Sequence, residues 1–387
     1  MFASIVTSRS GLCEEVSRAN LKLGSGVDME VRFVLKMLLR LLWVVCCGAV
    51  YAWGGAESER EFVGAVDLSA LPLIEAKGVQ FYDADGNPKS LLSILSANGI
   101  KAVRLRLWVE PEDGHCGFSE VETLSKRLRA LGFNLWLAVH YSDTWADPGH
   151  QALPRRWQGI SYESLRDSVF SYTQWIVHRL KPDFIQIGNE INSGFLFPYG
   201  QIANNEQRFL ELLATAAEAA RQANSQARII IHYAGYKGAE HFFARLEGID
   251  YDIIALSYYP WWHGKDLNEL EQTLRRLSSR FEKGILIAET AYPFTLDWDD
   301  WTHNIVGLGD QLILPDYPAT PEGQCRFIEK LIATVRGIPR GVGLCYWGGE
   351  LVAFAGPQSK EGSPWENLAL FDFANRALPA LRVLGSE

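Results

Sequence analysis

The sequence predicts a single-domain (β/α)8 barrel. Three observations carry the prediction. Eight apolar, strand-like runs recur along the chain. Amphipathic segments separate most of them, and polar side chains gather at the C-terminal ends of the runs. Strands alternating with helices give a parallel sheet with helices outside, and eight such units close a barrel.

The first run, Phe62–Ser69, leads into a long interval whose helix is expected at Leu91–Ala97. The others are Ala102–Val109, Asn134–Tyr141, Phe184–Glu190, Arg228–Gly235, Ile253–Pro260, Ile285–Pro293 and Gly341–Trp347. Amphipathic spacing predicts helices at Phe118–Leu131, Tyr162–Leu180, Glu206–Ala223, Leu267–Phe281 and Cys325–Arg336. An open doubly wound sheet would gain support from a Gly-rich phosphate loop after the first strand, and the sequence has none. No Pro/Gly/Ser linker follows residue 60, so residues 61–387 read as one domain. Two connections are long, Asp297–Thr320 and Gly348–Phe373. Long ordered loops on a catalytic face usually wall a cleft.

The N-terminus reads as a leader. Met37 to Val50 is apolar apart from Arg40, Arg32 and Lys36 precede it, and Val50 and Ala52 fit small-residue cleavage. This apolar core is short for a membrane span, so no stable anchor is expected. Residues 1–52 are read as leader and signal peptide, with 1–28 resembling no targeting signal and Met29 or Met37 as alternative starts. Residues 53–60 form a short connecting segment. A cleaved signal implies a secreted or periplasmic protein.

Of 387 residues, 48% are hydrophobic and 21% charged, an ordinary globular balance. The formal net charge of -9 argues against a nucleic-acid or anionic-membrane partner. Beyond the leader only Cys116, Cys325 and Cys345 remain. An odd count without a C-x-x-C pattern argues against a disulfide framework or zinc site. Cys345 is expected to be a buried thiol, and a Cys116–Cys325 pair stays open. The 13 tryptophans exceed what a core needs and offer flat platforms for the C–H faces of sugar rings.

The chemistry lies at the run ends. Glu190 closes Phe184-Ile185-Gln186-Ile187-Gly188-Asn189-Glu190, and Glu289 closes Gly284-Ile285-Leu286-Ile287-Ala288-Glu289. Both are placed at the end of a barrel where catalysis occurs. Two facing carboxylates are the minimum equipment for cleaving a glycosidic bond. Around them the runs deliver Arg104, Arg106 and Trp108, then His140, Asp143 and Trp145, then Asn189, His232, Tyr258 and Trp347. Burying such polar groups without a function is costly. Each also has a plainer reading. Arg104 or Arg106 can be the buried ion-pair partner of Glu190 or Glu289, His140 and His232 can be satisfied core histidines, and Trp108 can be packing. Glu190 and Glu289 lack an adjacent Lys or Arg and are assigned function. Whichever of the two stays ionised needs cations or donors, so an Arg and Tyr258 are expected beside it.

Several motifs then fall into one pattern. HYSDTWADPGHQ (140–151), IQIGNEI (185–191), LSYYPWW (256–262) and AETAYP (288–293) together resemble the arabinogalactan endo-β-1,4-galactanases, glycoside hydrolase family 53. The ends GAVDLS (64–69) and PWENLALFDF (364–373) also fit, so the resemblance spans about residues 62–374. It implies endo-acting, retaining hydrolysis of β-1,4-galactan in pectic arabinogalactan, without a required cofactor. Glu190 matches the general acid/base and Glu289 the nucleophile. Asn189 matches the residue that bonds the sugar 2-hydroxyl, and Trp347 the aromatic platform. The candidate substrate-binding set is Arg104, Trp108, His140, Asp143, Trp145, Asn189, His232, Tyr258 and Trp347. Some family members bind calcium in the loop after strand seven. Here Asp297-Trp298-Asp299-Asp300-Trp301-Thr302-His303-Asn304 has part of the residue types without the spacing, so solvated surface acids are favoured over a metal. The rival readings are a related barrel glycosidase acting on mannan or glucan, and a non-catalytic glycan-binding barrel.

Overall fold

The computed structural model of the protein describes residues 62–386. The leader and the connecting segment expected at 1–60 lie outside them. Among the described residues, eight strands close a barrel: β1 (Val63–Asp67), β2 (Ala102–Leu107), β3 (Asn134–Val139), β4 (Phe184–Ile187), β5 (Arg228–Ala234), β6 (Ile253–Ser257), β7 (Gly284–Thr290) and β8 (Gly341–Tyr346). Their order around the ring is β1-β8-β7-β6-β5-β4-β3-β2, with every pairing parallel.

The helices outside are α1 (Leu91–Ala97), α2 (Phe118–Ala130), α3 (Tyr162–Leu180), α4 (Ile202–Ala223), α5 (Ala239–Ala244), α6 (Leu267–Phe281), α7 (Pro321–Arg336) and α8 (Pro379–Leu384). Their starts follow capping chemistry. Ser90, Ser161, Asp266 and Thr320 each accept a backbone N–H from the first turn. Helix α4 begins earlier than the periodicity predicts, but Asn205 breaks it (φ -162, ψ 90), so the regular helix does start at Glu206. Helices α5 and α8 have only six residues each, too few for a clear amphipathic period.

Strand alternation sorts the core into two layers. Val103, Leu105 and Leu107 of β2, Leu135, Leu137 and Val139 of β3, and Ile285 and Ile287 of β7 face the helices. Inside the barrel a separate cluster holds Ala65, Ala102, Trp136, Phe184, Ile230, Ala255, Leu286, Ala288 and Cys345. This apolar plug fills the lower barrel, and Arg104 begins the polar layer above it, with its guanidinium carbon 5.7 Å from the Trp136 ring centre.

Strict alternation, with Leu286 and Ala288 inward, would turn Glu289 out towards the helices. The ladder slips instead. Register shifts occur between Leu256 and Ser257 of β6 and between Ile287 and Thr290 on the β8 side of β7, and Ser257 then pairs with Glu289. Such irregularities re-aim a side chain. Strand β4 ends differently. Gly188 (φ 73) and Glu190 (φ 48) both take the left-handed conformation. A Cβ on Gly188 would come within 2.5 Å of Ile191 Cγ2. For Glu190 the conformation is strained, and strain of this kind collects where geometry is functional.

Candidate active site

Arg104 organises the site. It is fully buried and uses each guanidinium nitrogen. Nη1 pairs with Asp67 Oδ2 at 2.7 Å and Nη2 with Glu289 Oε1 at 2.8 Å. Nη2 also donates to Asn189 Oδ1 at 2.8 Å, and Nε to Gln186 Oε1 at 3.2 Å. Burial opposes its charge, but Glu289 and Asp67 more than offset this and hold it protonated. Of the two arginines considered from the sequence, Arg104 is thus the ion-pair partner of Glu289. Arg106 lies between tryptophans, its guanidinium carbon 3.7 Å from the Trp145 ring centre and 4.7 Å from that of Trp108. Its Nε is buried without a hydrogen-bond partner.

The two glutamates have different surroundings. Glu190 is pushed up to about 8, first by burial and then by the facing charge of Glu289. Its Oε1 lies 2.5 Å from Ser257 Oγ. Burial also raises Glu289, while Arg104 and the Tyr259 hydroxyl pull it back. Two coupled carboxyls cannot both ionise easily. Glu289 has the direct cation and Glu190 does not, so the shared proton belongs on Glu190.

Asn189 is fixed by its hydrogen bonds. Oδ1 accepts from Arg104, and Nδ2 donates one hydrogen to Ala146 O at 2.9 Å, leaving the second for the cleft. His140 accepts the Ala146 N–H at Nδ1, 3.2 Å away, so its proton sits on Nε2. Burial, Arg106 and Arg104 hold its pKa well below the usual range, and it serves as a neutral donor.

These groups line an open cleft of about 320 Å³. Its walls bring together Arg104, Arg106, His140, Trp145, Asn189, Glu190, Glu289 and Trp347 with Asp147, Tyr259, Trp262, His263 and Trp365. Trp347 lies 4.5 Å from Trp365 and 6.1 Å from Trp145, centre to centre, so aromatic faces border the carboxylates.

Four sequence-based candidates lie elsewhere. Tyr258 follows Ser257, which points inward, so alternation sends it out to stack on Phe327 of α7. Its hydroxyl donates to Gly264 O at 2.9 Å. Tyr259, one residue on, donates to Glu289 Oε2 at 3.2 Å. His232 is completely buried beneath the cleft floor, bonded to Asn189 and Ser257. Trp108 supports Arg106, Trp145 and His140 from behind. Asp143 accepts the N–H groups of Glu110 and Arg155 and fastens two loops.

The sequence reading did not single out Tyr259, Ser257 or Trp365 for the site. Alternation counted on from Ser257 could have found Tyr259. Trp365 comes from a loop, where no periodicity points to a site. Of the two long connections, the one after β8 walls the cleft with Trp365. The one after β7 braces it, through Trp301 N to Ser359 O at 2.9 Å and the Asp299 and Asp300 N–H groups on Glu366.

That brace corrects the reading of its acids. Asp300 is 1% exposed and accepts the N–H groups of Thr302 and Ser363, so it is a buried backbone cap. Among the described residues His115, Cys116 and Glu120 are the one mixed group of metal-type donors. The His115 ring is already engaged, by Glu120 at Nδ1 and Cys116 at Nε2. All three described cysteines are free thiols, so Cys116 and Cys325 are not paired. Glu350 is a further buried acid. Its Oε1 accepts Ala70 N–H at 3.2 Å, its Oε2 has no partner, and burial with the nearby Asp67 charge pushes it up to about 8.

A closed (β/α)8 barrel with two coupled carboxyls at its C-terminal mouth, one of them paired with a buried arginine, in a cleft edged by indoles, defines a glycoside hydrolase. Residues 63–384 match the model of glycosyl hydrolase family 53, and the chain belongs to that family. The arabinogalactan endo-β-1,4-galactanase of Cellvibrio japonicus is 32% identical, covering 87% of this chain and 93% of its own. The endo-β-1,4-galactanase of Bacillus subtilis is 26% identical over 84% of this chain and 85% of its own. Among solved structures, the family 53 catalytic domain of Ignisphaera aggregans matches with a TM-score of 0.79 and 39% identity, over 85% of this chain and 97% of that one. A fungal β-1,4-galactanase matches with 0.73 and 28%, over 84% and 99%.

Proposed function

We propose that the protein is an endo-acting hydrolase of β-1,4-galactosidic bonds in pectic galactan. The observation that carries the reading is the unequal pair, Glu289 on Arg104 and Glu190 without a direct cation. The galactanase names of its relatives direct it to galactan.

The chemistry is a retaining double displacement. Glu289 attacks the anomeric carbon while Glu190 gives its proton to the glycosidic oxygen, and the C1–O bond breaks. The resulting ester removes the Glu289 charge, so Glu190 now ionises readily and serves as base. It takes a proton from water as the water oxygen attacks C1 and Glu289 departs. Arg104 and Tyr259 hold the nucleophile as carboxylate and leaving group. The free Asn189 amide hydrogen and the His140 Nε2–H are donors for ring hydroxyls. Trp347 offers a face to the sugar.

A polysaccharide substrate and the leader-like run support a secreted or periplasmic site of action. No helix among the described residues is long and apolar enough to cross a membrane. Residues 1–52 are then the leader and 61–387 the catalytic domain, working without a required metal.

The test is incubation with linear β-1,4-galactan, sizing of products, and NMR of the first anomer released. Early mid-size oligosaccharides with β configuration are expected. Inactivity on galactan with turnover of mannan or glucan would reject the substrate, and an initial α product would reject retention.

A further inference from the structure

Beneath Glu190 lies a chain of hydrogen bonds whose protons can be assigned one by one. Asn189 Oδ1 is identified as oxygen because it accepts from Arg104. Gln186 is fixed likewise, its Oε1 accepting Arg104 Nε. Gln186 Nε2 donates to Gly188 O at 2.9 Å and to Asn189 Oδ1 at 3.0 Å, which uses both hydrogens. His232 Nδ1 stands 3.1 Å from Asn189 Oδ1 and 3.2 Å from that spent Gln186 nitrogen. A bare Nδ1 would set its lone pair against the oxygen, so Nδ1 carries a proton and donates.

The ring is neutral, because burial and then the charges of Arg104 and His263 disfavour the imidazolium. Nε2 is therefore bare and accepts from Ser257 Oγ, 2.9 Å away. A hydroxyl has one hydrogen. With that hydrogen on His232, Ser257 Oγ meets Glu190 Oε1 at 2.5 Å as an acceptor, and the proton in that contact comes from the carboxyl.

We infer that His232 and Ser257 are positioning residues that hold Glu190 in its proton-donating form: His232 takes the only hydroxyl hydrogen of Ser257, leaving Ser257 to accept from the Glu190 carboxyl. The inference rests on the assignment of Glu190 as the acid. Once Glu190 has given up its proton, Ser257 can turn its hydrogen to the carboxylate only by releasing His232. Lone pairs on Oγ and Nε2 then oppose each other, so the arrangement favours return of the proton. The charges facing Glu190 are Glu289 from β7, Arg104 from β2 and Asp147 from the loop after β3. Those facing His232 are Arg104 and His263. Glu289 and Asp147 favour the proton and Arg104 opposes it; Ser257 would oppose it as well if it donated to an ionised Glu190, and the bond to His232 is what turns its hydrogen away.

The reverse tautomer would make the opposite prediction. With the proton on Nε2, His232 would donate to Ser257, and Ser257 to an ionised Glu190. The His232→Leu variant separates the two through the alkaline limb of kcat/KM. Freed from His232, Ser257 turns to the carboxylate and the limb moves down by about one pH unit. A limb that stays or moves up overturns the inference. In a Ser257→Ala background the same substitution leaves the limb unmoved, and a further shift there also overturns it. A merely structural histidine would lower the melting temperature alone. Nitrogen-15 NMR of the unsubstituted protein guards against a variant that misfolds: below the limb the His232 proton is expected on Nδ1, and finding it on Nε2 overturns the inference. The NMR measurement needs no substrate, so inactivity on galactan would count against the substrate reading and leave this one standing.

Discussion

The hydroxyl of Tyr259 donates to Glu289 Oε2 at 3.2 Å while Arg104 holds the other oxygen at 2.8 Å. Each Glu289 oxygen thus has its own donor, and neither donor serves Glu190. The roles of the two acids follow from that inequality.

Glu289→Ala should abolish turnover and be rescued by azide as an α-galactosyl azide, the product of direct attack from the face Glu289 vacates. Glu190→Ala should keep turnover on substrates with a good leaving group, where acid help is dispensable. An α-azide from the Glu190 variant would exchange the roles.

Activity should fall as pH rises through about 8, the value to which burial and Glu289 push Glu190. The sign follows from the role: the protonated form is the acid, so kcat/KM is high below this value and lost above it. The limb reports the coupled pair. Activity still rising past pH 9 would contradict the assignment.

Glu350 should make the fold less stable in alkali. Its carboxyl is raised from 4.5 to about 8. Its stabilising contribution is therefore complete below about 4.5 and is lost as pH rises through about 8. Glu350→Gln should flatten the decline of melting temperature over that window, and an unchanged slope would assign the decline to other groups.

Trp347→Ala should lower kcat and kcat/KM more than it raises KM, because a platform matched to a flattening ring favours the transition state. A core role would instead appear as about 3–5 kcal/mol of lost stability. Melting temperature measured beside the kinetics decides between them.

Arg106→Met should raise KM by about tenfold, the worth of one charge-assisted hydrogen bond, and lower kcat less. The guanidinium lines the cleft, where a sugar oxygen can meet it. An unaltered KM with a lower melting temperature would reduce Arg106 to a spacer between Trp108 and Trp145.

The barrel was legible in the sequence because its two signals are periodic. Alternating strands such as Ala102–Leu107 and long amphipathic helices such as Tyr162–Leu180 announce themselves. Glu190 and Glu289 were legible because a carboxylate ending an apolar run has few other uses. The distinction between Tyr258 and Tyr259 was not, since two adjacent tyrosines differ only in the phase of the alternation, which Ala255 and Ser257 set from further back in the strand. His232 was visible as a buried polar residue, but its partner Ser257 lies 25 positions away on the next strand. Asp300 looked like a surface acid because nothing local shows that Ser363 will close over it.

The slip in β7 also bears on how this enzyme can change over evolutionary time. Substitution at Glu289 leaves its neighbours aimed as before, whereas one residue gained or lost between Ile287 and Glu289, with the slip kept, would reverse the facing of the carboxylate and point it at the helices. The stretch is therefore closed to length variation although it ends in a loop. Insertions that reshape the cleft must enter later, beyond Pro293 or beyond Trp347, where chain length does not set the aim of Glu289.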